Sequence, residues 1–257
     1  DRSRGLGDVY KRQFKYIGES GRAIVNGDDD KLCTLRGKLK NVLTYGLNAD
    51  NDIRGENVKD MGLEGMRFDI VYGGGRITAT IPSPGIHMVV NSLCAAAVGL
   101  TLGIESELIK QGIESYAPVE GRMQIIKTQR LTLLDDSFNA NPTSMAAAIN
   151  IACRASGRTV LILGDMLELG EKGAEYHRDM GKKAVECGAD MMIGKGPLMK
   201  NACEETERAG IETMHFDTSE DIMRALDNCL RDGDTVLVKA SHGTNLKDVA
   251  EYIKANF

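Results

Sequence analysis

The sequence predicts an α/β protein: strands from the edge of one sheet, then a mostly parallel sheet covered by helices on both faces. Three observations predict it. Beyond Pro142, apolar runs of five or six residues alternate with helical patterns, the rhythm of a parallel sheet with crossover helices. Before Pro84, apolar and polar residues alternate around turn glycines, as in half-buried strands and hairpins. The length, 257 residues, accommodates two modest domains with a core each.

Taken in order, residues 1–13 (DRSRGLGDVYKRQ) show neither period and read as a disordered or adapter-derived tail outside the fold. Residues 23–26 (AIVN) form a strand that runs into the acidic turn Gly27-Asp28-Asp29-Asp30, residues 41–46 form another, and 51–54 form a polar link. Residues 64–81 read as a hairpin with Gly73-Gly74-Gly75 at the turn. At Pro84-Gly85 the period changes. Residues 86–103, apolar and rich in small side chains, predict a helix buried on most of its surface, and a second helix follows over 105–115. The turn around Pro118 marks a boundary, giving domains over 14–117 and 118–257. Strands are then expected at 122–128 and 131–136, with later strands at 158–163, 190–194, 212–216 and 235–240. Helices are expected from Pro142 and at 173–187, 197–209, 219–230 and 246–255.

Composition narrows the function. The formal charge of −5 and an aromatic content of 5% without tryptophan offer neither a basic field nor stacking platforms, so no nucleic-acid partner is expected. Six scattered cysteines without a CxxC pair read as reduced thiols, and no apolar run is long enough to span a bilayer; both suit a cytoplasmic protein.

The stretch that organises the chain is LLDDSFNANPTSMAAAI, residues 133–149. Asn141 suits a helix N-cap and Pro142 the first helical position, so the text reads strand, polar turn, helix. Ligands of open α/β sheets bind at the carboxyl ends of strands, beside helix N-termini. Adjacent Asp135 and Asp136 repel each other there, which invites a ribose diol or a metal-bound phosphate; equally, Asp136 and Asn139 could cap the turn.

Four further groups stand at comparable places. His87 and Asn91, four apart near a helix start, could hold an adenine or a phosphate oxygen, or His87 could bond a nearby carbonyl. Arg122, at the domain boundary, could meet a phosphate on closure or remain solvated. Residues 161–171 (LILGDMLELGE) place Asp165, Met166, Leu167 and Glu168 in an apolar loop beyond a strand, fit for a partly apolar, partly charged substrate or for packing on the sheet. Lys239 and Ser241 end another strand, where the cation would suit a substrate carboxylate or pair with Asp165. No GxxxxGK[ST] loop, dinucleotide fingerprint, HExxH or nucleophile elbow occurs in the sequence.

Together, GIHMVVNSLCAAAVGLTLGI (85–104), GRM (121–123), DDSFNANPTSMAAAI (135–149), LGDMLELGE (163–171) with His177, and DTVLVKASHG (234–243) resemble the Mur ligase family. The resemblance runs from about residue 14 to the end and is closest to members that add D-alanyl-D-alanine. It implies a truncated central ATPase-domain sheet followed by a Rossmann-like C-terminal domain. It also implies an ATP-dependent amide-bond-forming ligase acting on UDP-N-acetylmuramoyl-tripeptide and D-alanyl-D-alanine through an acyl phosphate, as a monomer. The phosphate-binding loop and the Mg2+ ligands are expected upstream of these residues, so the chain alone is expected to be inactive. By resemblance His87 and Asn91 lie beside the adenine, Asp136 holds the ribose, and Asn139 and Asn141 shape the nucleotide loop. Arg122 reaches the phosphates and couples closure to chemistry. Asp165, Met166, Leu167, Glu168, Lys239 and Ser241 face the dipeptide or the acceptor's peptide arm, with Arg122 and Lys239 the catalytic cations. Two stretches depart from the family's usual text: Met88 follows His87 where asparagine is usual, and Ala240 and His242 replace a glycine and an arginine. Another Mur-type or folate ligase, a non-catalytic nucleotide-binding module, and an unrelated α/β protein are the alternatives.

Overall fold

The computed structural model describes Phe14, Tyr16–Gly18 and Ser20–Phe257; the reading of residues 1–13 lies outside the described residues. The chain divides into two compact units between Tyr116 and Ala117.

The first unit holds a five-stranded sheet in the order β1 (Ala23–Asn26), β2 (Val42–Gly46), β3 (Ile53–Asp60), β4 (Met66–Tyr72), β5 (Gly75–Ile81). β1, β2 and β3 run parallel, and β4 and β5 add antiparallel as the expected hairpin. Alternation along β4 and β5 buries Phe68, Ile70, Ile77 and Ala79 with α1 (Ile86–Thr101) and α2 (Ser106–Glu114). Between them, Asp69 and Arg76 turn outward into a surface network with Glu56.

Two expectations need correction. The second half of the stretch read as a polar link, 51–54, is strand: Ile53 and Arg54 open β3. Its text, IRGENVKD, has only Ile53 and Val58 as β-formers, and the strand exists because β4 supplies a ladder and Ile53 reaches the core. Asp28 secures the approach to β3 by accepting from the N–H groups of Leu47 (2.6 Å) and Asn48 (3.0 Å) and from Asn51 Nδ2 (2.8 Å). α1, in turn, is buried along one face, through Val89, Leu93, Ala96 and Ala97, while Ile86 and Val98 are exposed. Its small residues permit close approach to the sheet on that side alone.

The second unit is a six-stranded sheet in the order β10 (Glu212–Phe216), β9 (Met191–Lys195), β8 (Thr159–Gly164), β11 (Thr235–Lys239), β7 (Thr132–Asp136), β6 (Gln124–Lys127). All pairs are parallel except β6 with β7. The chain steps outward from β7 through β8 and β9 to β10, then returns to insert β11 between β8 and β7. Because crossovers are right-handed, this reversal sends helices to opposite faces. α3 (Pro142–Cys153), α4 (Gly173–Glu186) and α5 (Lys200–Arg208) follow the outward steps; α3 packs on β8 and β11, and α5 on β9 and β10. Gly181 lets α4 and α5 touch, since a Cβ there would lie 2.4 Å from the Ala202 carbonyl oxygen. α6 (Ser219–Cys229) and α7 (Lys247–Asn256) cover the other face with Leu133, Val160, Ile162, Val236 and Val238. Among the described residues no helix is long and apolar enough to cross a membrane.

Candidate functional site

The carboxyl ends of β7, β8 and β11 converge at the point where the strand order reverses, the place an open α/β sheet offers a ligand. The two aspartates ending β7 do not share a site. Successive strand residues point to opposite faces, so Asp135 turns toward α7, where Lys254 Nζ donates to its Oδ2 at 2.8 Å and Ser137 Oγ to its Oδ1 at 2.6 Å. Asp136 faces the α3 side. Its register partner on β11 is Lys239, which donates to Asp136 Oδ2 at 2.6 Å and to the Asn139 carbonyl oxygen at 2.8 Å. The expected mutual repulsion is therefore absent: each carboxylate has its own lysine, on its own face.

Lys239 is 1% exposed and Asp136 9%. Burial pushes the Asp136 carboxyl above its ordinary value against the pull of Lys239, and pushes the Lys239 ammonium down against the pull of Asp136. Lys239 does not pair with Asp165, nor does its ammonium reach solvent. It ties β11 to β7 and to the turn leading into α3. That helix starts as its text predicts, with a reciprocal cap: Asn141 Oδ1 accepts from Ser144 N–H at 2.8 Å and Ser144 Oγ accepts from Asn141 N–H at 3.1 Å, with Pro142 next in the chain. The Asn139 side chain is exposed and bonds its neighbour's N–H.

The second oxygen of Asp136 extends the connection. Met123 N–H donates to Oδ1 at 3.0 Å, from a turn in which Gly121 and Met123 have φ of 69° and 49°. Lys239, Asp136 and Met123 thus hold the turn that carries Arg122. The Arg122 guanidinium lies 4.0 Å from the centre of the Phe138 ring, and the His242 ring lies 5.6 Å from that centre at 41°. Arg122, Phe138, His242 and Lys247 line a groove of about 550 Å³ within this unit. His242, one of the departures from the family text, stands here as a ring beside Phe138.

The loop after β8 meets the same edge. Asp165 is 5% exposed and points inward: its carboxylate accepts from Met199 N–H at 2.8 Å and Leu198 N–H at 3.3 Å, ahead of α5. Gly196, at φ 100°, leaves room for that carboxylate; a Cβ there would lie 2.6 Å from it. Met166 is fully buried, so Leu167 and Glu168 present the exposed side chains of the loop. Ser241 bridges three segments. It accepts from Leu167 N–H at 2.9 Å, donates to the Ala140 carbonyl oxygen at 3.3 Å, and its N–H reaches the Asp165 carbonyl oxygen at 3.1 Å.

In the first unit, His87 and Asn91 lie one turn apart on the exposed side of α1. The second departure, Met88, is partly buried, and its sulfur lies 3.9 Å from Asn91 Nδ2 as acceptor. Among the described residues no group of three His, Cys, Asp or Glu side chains could hold a metal ion. Sequence reasoning missed Lys254 and Phe138 and gave His177 no role. The alternation of β7 alone would have sent Asp135 and Asp136 apart, but nothing local announces which lysine each meets.

Comparison with known proteins agrees with this architecture. Two family profiles match: "Mur ligase middle domain" over residues 8–99 and "Mur ligase, glutamate ligase domain" over residues 121–242. A relative from Buchnera aphidicola subsp. Baizongia pistaciae, named UDP-N-acetylmuramoyl-tripeptide–D-alanyl-D-alanine ligase, is 29% identical over 254 residues, covering 97% of this chain and 54% of the relative. The crystal structure of MurF from Acinetobacter baumannii superposes with a TM-score of 0.85 at 24% identity, over 95% of this chain and 54% of that one. MurF ligase from Thermotoga maritima, solved in complex with ADP, has a TM-score of 0.76 at 22% identity, over 92% and 54%. The chain thus spans about half the length of the relatives it matches. With middle-domain text in its first unit and glutamate-ligase-domain text in its second, this chain belongs to the Mur ligase family.

Proposed function

We propose that this chain serves an ATP-dependent ligase that joins D-alanyl-D-alanine to UDP-N-acetylmuramoyl-tripeptide. In that reaction the tripeptide carboxylate takes the γ-phosphoryl group, and the dipeptide amine then displaces phosphate from the acyl phosphate. One observation carries the reading for this chain's own residues. The Lys239–Asp136–Met123 connection holds a solvent-facing arginine at the carboxyl end of the sheet, over the Phe138 ring.

Arg122 has no carboxylate partner among the ion pairs formed by the described residues, so its guanidinium is free to offset phosphate charge as it develops. Asp136 uses one acceptor site on each oxygen, and its remaining lone pairs suit ribose hydroxyls. His87 and Asn91 are assigned to the adenine, and Asn139 and Asn141 to shaping the loop around the nucleotide. Leu167 and Glu168 meet the dipeptide or the acceptor's peptide arm, while Asp165, Met166 and Ser241 hold that loop from beneath. Lys239 acts by fixing Asp136 and the turn at Asn139, a positioning role rather than contact with substrate. Among the described residues no group of three His, Cys, Asp or Glu side chains fits Mg2+. With no GxxxxGK[ST] loop in the sequence, the chain by itself is proposed not to turn over.

Amide NMR of the chain titrated with D-alanyl-D-alanine tests the assignment. Shifts at Leu167 and Glu168 with this dipeptide, and none with L-alanyl-L-alanine, are expected. Equal shifts with both enantiomers, or none with either, would overturn it. Phosphate release by the chain supplied with ATP and both substrates would refute the inactivity.

A further inference from the structure

His177 sits in the first turns of α4, fully buried, with both ring nitrogens engaged. Nε2 lies 2.9 Å from Met166 N, and Nδ1 lies 2.6 Å from the Gly173 carbonyl oxygen. A backbone N–H can only donate, so Nε2 must accept and carries no proton. A carbonyl oxygen can only accept, so the proton is on Nδ1. The ring is therefore a neutral imidazole in a single tautomer. Asp165 Oδ1 is 3.9 Å from Nε2, yet that carboxylate is occupied by the N–H groups of Leu198 and Met199.

Two successive amides of the loop are thus held by side chains from elsewhere: Met166 N–H by His177 and Leu167 N–H by Ser241. The chain then turns through Glu168 at φ 62° and Gly170 at φ 61°. A non-glycine residue in the left-handed region costs free energy unless its surroundings impose it. With both amides fixed and Met166 buried, the Leu167 side chain stands outward, 44% exposed, against Gly243. We propose that His177 is a positioning residue: its neutral Nδ1–H tautomer sets the backbone of residues 166–168, and through it the surface that receives the incoming dipeptide. The last clause rests on the function proposed above; the positioning of the loop does not.

The two nitrogens can be replaced separately. Glutamine places an acceptor near the position of Nε2, and asparagine places a donor near Nδ1. Gly173 O also belongs to the α4 ladder, so losing its imidazole partner costs little, whereas Met166 N–H has no substitute in a buried site. His177→Gln should therefore keep the loop, and His177→Asn and His177→Ala should release it.

Amide hydrogen exchange of the 257-residue chain reads this directly, with Leu161 and Ile162 in β8 as the internal measure of folding. Exchange at Met166 and Leu167 is expected to rise on the order of tenfold in His177→Asn and His177→Ala, the size of one net hydrogen bond, and to stay within about twofold of wild type in His177→Gln. Unchanged exchange at Met166 in all three variants would overturn the proposal, as would equal loss in glutamine and asparagine variants while β8 stays protected. The same samples titrated with D-alanyl-D-alanine separate the two readings. Binding weakened in the asparagine variant and restored in the glutamine variant supports the whole. The exchange pattern without dipeptide binding by wild type refutes the assigned ligand while the loop positioning stands.

Discussion

Replacing Lys239 by methionine removes the cation at the centre of the C-terminal sheet edge. Methionine fills much of the lysine volume, so the change strips charge and two hydrogen bonds, at 2.6 Å to Asp136 and 2.8 Å to Asn139, with little cavity. What stays behind is a carboxylate 9% exposed, with Met123 N–H as its remaining hydrogen bond in the structure. Stranding one member of a buried ion pair costs about 3–5 kcal/mol. Asp136→Asn costs less, because the amide oxygen still accepts from Met123 and the buried amine can shed its proton. The double variant is expected to be less destabilised than the two singles added together, by about 1–3 kcal/mol. The acid side carries a sign. Burial, opposed by Lys239, already holds the Asp136 carboxyl above its ordinary 3.8; without the lysine that opposition is gone. A carboxyl raised in the folded state contributes fully below its unfolded pKa, and that contribution is lost as pH rises through the folded value. The deficit of K239M is therefore greatest at neutral pH and shrinks as pH falls toward 3.8. Exchange of the β8 and β11 interior amides at neutral and acid pH measures it, since these open with the second unit as a whole. A loss at pH 7 under about 1 kcal/mol, where a stranded buried charge requires several, or a deficit that grows on acidification, would refute the reasoning.

Two further outcomes follow from local structure. Asn141→Ala removes the N-cap of α3 and should cost about 1 kcal/mol, with Asn141→Asp close to neutral; thermal unfolding of the two variants decides it, and equal losses would contradict the capping geometry. Burial pushes the Cys203 thiol up to about 12, and the side chain is 3% exposed, so alkylation at pH 8 should be far slower than in the unfolded chain. Peptide mass mapping after iodoacetamide treatment reads this, and labelling at the unfolded rate would show that the thiol is not enclosed.

Much of the fold is legible along the chain because its signals are short-range. The β8 to α7 alternation follows from runs such as TVLILG and TVLVK set between helical patterns, and those strands are buried on both faces, so no polar alternation confuses the reading. The α3 cap needs only Asn141, Pro142 and Ser144, all within one turn. β3 was illegible for the opposite reason, because IRGENVKD is a strand by virtue of its neighbour β4 rather than its own propensity.

What the sequence by itself determined, then, is the order of elements, the helix start beyond β7 and the short list of polar residues at strand ends. Only the tertiary structure decided what those residues do. Asp136 and Asp135, adjacent in sequence, are claimed by lysines 103 and 119 positions away, one on each face of the sheet. His177 receives its tautomer from a backbone N–H 11 residues upstream. Such pairings depend on strand order and on which face each residue meets. Local text does not carry that information, because the insertion of β11 beside β7 is made only when the whole sheet closes around its core.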